Sequence, residues 1–139
     1  MKSLQTLLKI ARRDLETLRR ALGDELLRQQ TLEQRVVGHE EAVKREQALA
    51  AQDYESARAY GGYAVAAVSI RNALQAEGRI IEDEIARMRE LIAAAHVETR
   101  KFERLVELQE AREKAAREKR ENAELDEMAT QRAGRRAES

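Results

Sequence analysis

The sequence predicts an all-α protein: two long helices folded into an antiparallel coiled-coil hairpin, the second helix longer and ending in a C-terminal overhang. Three observations predict it. The chain of 139 residues contains no proline, so nothing in it forces a helix to break. Its composition is 42% hydrophobic and 37% charged but only 3% aromatic, which suits long helices and lacks the ring bulk on which a large single core draws. Apolar residues also recur at alternating steps of four and three, the spacing that keeps one stripe on one helix face.

The first stripe is Leu4, Leu8, Ala11, Leu15, Leu18 and Leu22. It continues more weakly through Glu25, Gln29, Leu32, Val36, His39, Val43, Glu46 and Ala50, and predicts a helix over about residues 3–52. Leu26 and Val37 lie beside this frame, where an eleven-residue drift can replace the seven. Asp53 to Gly62 holds the only Gly-Gly pair and two of the three tyrosines. Adjacent glycines weaken a helix by about 1 kcal/mol each, so the turn is expected at about 53–62. The second stripe, Leu74, Gly78, Ile81, Ile85, Met88, Ile92, Ala95, Thr99, Phe102 and Val106, is the stronger and predicts a helix over about 63–133. Residues 1–139 are thus expected to form a single hairpin.

Facing the two seams admits more than one register. Pairing residues whose numbers total 117 sets Leu15 against Phe102, Ala11 against Val106, His39 against Gly78 and Glu46 against Arg71, so large meets small and charge meets counter-charge. A total of 124 centres the turn nearer Gly61-Gly62 but leaves Glu46 against Gly78. The 117 register is the expectation. It leaves residues beyond about 113 without a partner helix, a charged stretch supported by pairs such as Glu113 and Arg117.

Chemistry finds little purchase. With no cysteine there is no disulfide, thiolate or Cys-ligated metal. His39 and His96 begin no metal-binding pattern, no Gly-rich loop precedes a Lys-Ser or Lys-Thr, and nothing desolvates a carboxylate. The expectation is no enzyme, no catalytic or metal residue and no cofactor, with His39 as a seam histidine and His96 solvated. The 26 basic and 26 acidic residues cancel, so bulk charge does not suit nucleic acid. The longest apolar runs, Ala64 to Val68 and Leu91 to Ala95, fall far short of the roughly 20 residues of a membrane span. The N-terminus lacks the apolar stretch of a secretory signal, and the expected compartment is the cytoplasm.

Three features invite a partner. Lys2, Lys9, Arg12, Arg13, Arg19 and Arg20 outnumber Asp14 and Glu16 in the first 20 residues, a local net of +4; the readings are a solvated helix face, a membrane-surface helix or a site for an acidic protein. Tyr54, Tyr60 and Tyr63 either contact a partner or pack on Ala64 and Ala67. Leu91, Leu105 and Leu108 lie off the seam, where a two-helix hairpin covers them poorly.

The chain resembles the FliJ family of flagellar type III export proteins. The resemblance spans nearly the whole sequence and rests on the basic, leucine-spaced opening (Leu4, Leu7, Leu8, Ile10, Ala11, Arg12, Arg13), the unbroken second helix, and the closing stretch Glu121 to Arg132 with its Glu-Leu-Asp-Glu core at 124–127. It implies a stalk similar to the central subunit of rotary ATPases, a monomer when free, that engages a hexameric flagellar export ATPase, an export gate membrane protein and export chaperones at the cytoplasmic face of the inner membrane. Leu125, Asp126, Glu127 and Arg132 carry over by the closing motif as partner contacts, and Arg12 and Arg13 by the basic opening. Two readings of other kinds stay open: the equivalent stalk of a virulence-type secretion system, and a self-associating structural coiled coil.

Overall fold

The protein, seen in a computed structural model that describes residues 2–138, consists of two helices. Helix α1 runs Lys2–Ala50 and α2 runs Tyr54–Glu138, 49 and 85 residues, packed as an antiparallel hairpin. Met1, Ser139 and the side chain of Lys2, which the basic opening includes, lie outside the described residues. Two compact units form, unit 1 from Met1–Asp14 with Ala95–Ser139 and unit 2 from Leu15–Ala94.

The turn is shorter and earlier than 53–62, and it contains no glycine. Helix α1 closes with Ala51 N–H donating to the Gln47 carbonyl at 3.2 Å and Gln52 N–H to that of Leu49 at 3.1 Å. Asp53 then starts α2: its Oδ1 accepts the Ser56 backbone N–H at 2.7 Å, and its carbonyl accepts Ala57 N–H at 3.1 Å. This is an N-cap, which satisfies one of the amides a helix start leaves unpaired. The Ser56 backbone N–H is the main reason the Asp53 carboxyl lies below its ordinary range.

Gly61 and Gly62 sit inside α2, and no glycine takes a positive φ. The seam explains why the helix runs through them. Tyr60, Tyr63 and Ala64 are half-buried and Ala67 is buried, so the four-three spacing continues on both sides of the pair. Contact with α1 along that stripe outweighs the propensity cost of two glycines. Tyr60 and Tyr63 pack on each other, ring centroids 6.1 Å apart, while Tyr54 is exposed.

The core of unit 2 is Leu32, Leu74, Ile81 and Ile85, with Leu22 and Val36 packed against it. Ile81 is wholly buried, and each such side chain contributes about 1.5–3 kcal/mol. The pairing departs from the expected register. Leu32, not His39, faces Gly78: a Cβ on Gly78 would stand 3.5 Å from Leu32 Cδ2. Their numbers total 110, one heptad short of 117.

The flanking charges obey the same register. Arg35 Nη1 meets Glu77 Oε2 at 3.1 Å. One heptad earlier on α1 and later on α2, Arg87 and then Arg28 draw the Glu84 carboxyl below its ordinary range. Both cross-helix pairs, Arg35 with Glu77 and Arg28 with Glu84, total 112, the relation between edge positions when seam layers total 110. The proposed Glu46 with Arg71 layer therefore does not form. Arg71 falls opposite His39, and the two line one groove together with Val36, Val43 and Leu74. His39 Nε2 lies 3.1 Å from the Ala67 carbonyl; a carbonyl only accepts, so Nε2 bears the proton. Layers with polar and small residues can be matched by charge in several ways, and the fully packed Leu32, Leu74 and Ile81 decide among them.

Candidate partner-binding surface

The six positions that the family resemblance marks as partner contacts, Arg12, Arg13, Leu125, Asp126, Glu127 and Arg132, all fall in unit 1, which is built from the start of α1 and the last part of α2. Leu8, Ala11 and Thr99 are buried there, and Leu4, Phe102 and Val106 are half-buried. The seam pairs Leu8 with Phe102, Ala11 with Thr99 and Leu4 with Val106 in the 110 register. Thr99 Oγ1 donates to the Ala95 carbonyl at 2.9 Å, so its burial leaves no hydroxyl unsatisfied.

Arg12 is held to α2. Its Nη2 lies 3.6 Å from Glu103 Oε1, and Arg100 approaches the other oxygen of the same carboxylate at 3.8 Å. The pair is partly exposed, so it contributes little stability, but it directs the Arg12 side chain along the hairpin edge. Arg13 is exposed on the outer side of α1.

Gln109 is the last half-buried residue of α2, and every described side chain from Glu110 to Glu138 is exposed. The overhang thus begins slightly before 113, because the shorter register brings the start of α1 nearer to Val106. It is helical throughout. Local bonds support it, among them Gln109 Nε2 to Glu113 Oε1 at 3.2 Å and Thr130 Oγ1 to the Asp126 carbonyl at 2.9 Å.

The four closing-motif positions do not share one face. Leu125, Met128, Ala129, Arg132, Ala133 and Arg136 line a single stripe, with Leu125 62% and Met128 51% exposed. At about 100° per residue, Asp126 stands beside that stripe and Glu127 on the far side of the helix. Leu125 and Arg132 are brought together; Glu127 is not. Met128 and Arg136 belong to the stripe and were not singled out from sequence, although their spacing from Leu125 and Arg132 marks them. Nor does the fold join Arg12 and Arg13 to this stripe. Glu103, the partner of Arg12, precedes Leu125 by 22 residues, about 33 Å of helix.

Large apolar side chains are also exposed on the paired part of unit 1, at Leu7, Ile10, Val97, Leu105 and Leu108. The last two are expected to be uncovered; Leu7 and Ile10 lie outside the seam, in the leucine-spaced opening, without being marked as uncovered. Among the described residues no group of three or more His, Cys, Asp or Glu is placed to hold a metal ion, and no helix is long and apolar enough to cross a membrane.

No curated relative and no solved structure matches the chain. The family profile described as the flagellar FliJ protein matches residues 1–138, so hairpin, overhang and closing motif all fall within the match, and the chain belongs to the FliJ family, with a role related to flagellar export.

Proposed function

We propose that the chain is a non-enzymatic stalk of the flagellar type III export apparatus. It engages and stimulates the hexameric export ATPase and couples that enzyme to the export gate membrane protein and the export chaperones. The observation that carries this reading is the overhang: a helix uncovered from Glu110 to Glu138, with Leu125, Met128, Arg132 and Arg136 on one stripe, continuous with a packed hairpin. A helix that exposes leucine and methionine beside arginines has its apolar contacts still to make.

The work asked of such a stalk is mechanical. A stiff asymmetric rod contacts the subunits of a six-fold ring unequally, and its differential affinity for their nucleotide states biases the interconversion of those states. Two helices zipped by Leu32, Leu74, Ile81 and Ile85 supply the stiffness. The protein would act at the cytoplasmic face of the inner membrane, held there by its partners, and be a monomer when free.

The test is ATP hydrolysis by the purified export ATPase with the full chain and with a truncation lacking residues 113–139. Stimulation is expected with the full chain and its loss with the truncation. Equal stimulation by both would refute the assignment of the overhang, and absence of any effect or co-elution would refute the stalk.

A further inference from the structure

We infer, resting on the stalk reading, that Met128 is a modification site: a hydroperoxide converts its thioether to the sulfoxide, and the sulfoxide releases the overhang from the export ATPase.

Sulfur is scarce in this chain. It has three methionines and no cysteine, so no thiol of its own competes for an oxidant. Met1 lies outside the described residues. Met88 is a half-buried seam residue of unit 2, in the layer of Leu22, which packs against the core. Met128 stands on the uncovered overhang and is 51% exposed. An oxidant that must collide with sulfur therefore reaches Met128 well before Met88.

Position gives the reaction its consequence. Of the described side chains from Glu110 to Glu138, all exposed, Leu125 and Met128 are the only apolar ones larger than alanine. They line one stripe with Ala129, Arg132, Ala133 and Arg136, so the apolar contact this stripe makes falls to the two of them. Leu125 is inert toward peroxide. Met128 is a flexible, polarisable gap-filler of the kind adaptable binding surfaces use, and oxidation sets a polar S=O where that contact is apolar. Burying the new oxygen against an apolar partner without a donor opposes binding. Arg132, four residues on, shares the same face. On the free helix its guanidinium is in reach to donate to the sulfoxide oxygen, which withdraws it from the partner as well.

The oxidant is a hydroperoxide and nothing else is consumed. A lone pair of the thioether sulfur attacks the outer peroxide oxygen, the S–O bond forms and the O–O bond breaks. The proton on the transferred oxygen passes to the departing one, which leaves as an alcohol or, from hydrogen peroxide, as water. Sulfur loses two electrons and the peroxide gains them. The helix need not open for this, because the side chain already faces solvent, and methionine sulfoxide reductases reverse the change.

The experiment treats the full chain alone with dilute hydrogen peroxide and removes the excess with catalase. Peptide mass mapping, circular dichroism and fluorescence-anisotropy binding to untreated export ATPase follow. Met128 is expected to gain one oxygen atom much faster than Met88, with helicity and thermal midpoint kept and affinity lowered about tenfold. Methionine sulfoxide reductases of both stereospecificities are expected to restore the affinity. Met128→Leu carries no thioether, so its affinity, at whatever level, is expected to be the same before and after peroxide, whereas Met88→Leu is expected to lose as much as the parent. Met128→Gln, which sets a polar carbonyl near the place of the sulfoxide oxygen, is expected to bind weakly with no peroxide at all. If the untreated parent fails to bind the ATPase, the stalk reading falls with the inference. If it binds, and the parent oxidised at Met128 binds equally well, the stalk survives and the inference is overturned. Oxidation of Met88 as fast as Met128, a loss of affinity that Met128→Leu shares, or a loss that comes with lost helicity overturns it too.

Discussion

The register of the hairpin is open to a direct chemical test, because the chain has no cysteine of its own. A Leu32→Cys, Gly78→Cys protein places two thiols at positions that face each other: Leu32 Cδ2 is 3.5 Å from where a Cβ on residue 78 would stand. A disulfide needs Cα atoms about 4.4–6.8 Å apart. The rival pair, His39→Cys with Gly78→Cys, is seven residues out of register, about 10.5 Å along the helix axis, and lies beyond that reach. Mild oxidation, followed by thiol alkylation and intact mass, is expected to show rapid intramolecular closure for 32/78 and little for 39/78. The closed loop of roughly 47 residues removes unfolded-state entropy worth about 4 kcal/mol, so the oxidised 32/78 protein should melt well above its reduced form by far-UV circular dichroism. Faster closure of 39/78, or a 32/78 bridge that lowers the melting temperature, would refute a seam whose paired numbers total 110.

Three further outcomes follow from the packing and the cap. Ile81 is wholly buried, so Ile81→Ala should cost about 3 kcal/mol in urea unfolding; a loss far below that would mean the core of unit 2 does not close around it. Gly61 and Gly62 are helical with open space where a Cβ would stand, so Gly61→Ala and Gly62→Ala should each raise stability by about 1 kcal/mol. A loss from either would restore the turn to the glycine pair. The Asp53 carboxyl, whose native pKa lies below its unfolded value because the Ser56 N–H donates to it, adds stability above the ordinary carboxylate range. That contribution is lost as pH falls through the lowered native value. Asp53→Asn, which still accepts the bond, should lose this part of the acid dependence when unfolding is compared across pH, and an unchanged acid profile would show that the cap is not formed.

Much of the fold was legible because the heptad pattern is local. Leu4 to Leu22 and Leu74 to Val106 declare their buried face through spacing alone, and both stripes lie where the helices meet. The turn was less legible, since glycine propensity is also local but weak. The feature that starts α2 is Asp53 bonding Ser56 N–H at 2.7 Å, an Asp three residues before a Ser, and the continued stripe Tyr60, Ala64, Ala67 carries the helix through Gly61 and Gly62. Two stabilising effects summed over several residues override one destabilising pair.

Register was the hardest to read for a physical reason. Sliding one helix by seven residues returns every seam position to a seam position, so the seam is nearly degenerate and the choice falls to residues that break the repeat. The polar layers, Glu46 with Arg71 above all, favour the 117 register on charge alone. In the folded chain those layers are half-open, where a carboxylate or guanidinium reaches water and matching it with a counter-ion contributes little. The discriminating partners are instead Leu32 over Gly78, where volume must be accommodated, and the edge pairs Arg35 with Glu77 and Arg28 with Glu84, which recur at heptad spacing.

The same distinction separates the residues expected to bind from those the fold presents. Motif similarity selects positions along a line of sequence, whereas a partner meets a helix by face. Leu125 and Arg132 satisfy both criteria and are joined by Met128 and Arg136. Glu127, two residues from Leu125, stands on the opposite side and can be gripped together with it only by a partner that surrounds the helix. A ring does surround its axle. Contacts spread around the overhang are therefore what a stalk inside a hexamer requires, while a partner docking from one side would use the Leu125 to Arg136 stripe alone and be indifferent to charge at 127. Reversing Glu127 and reversing Arg132 in separate proteins distinguishes the two geometries, since only an encircling partner loses affinity in both.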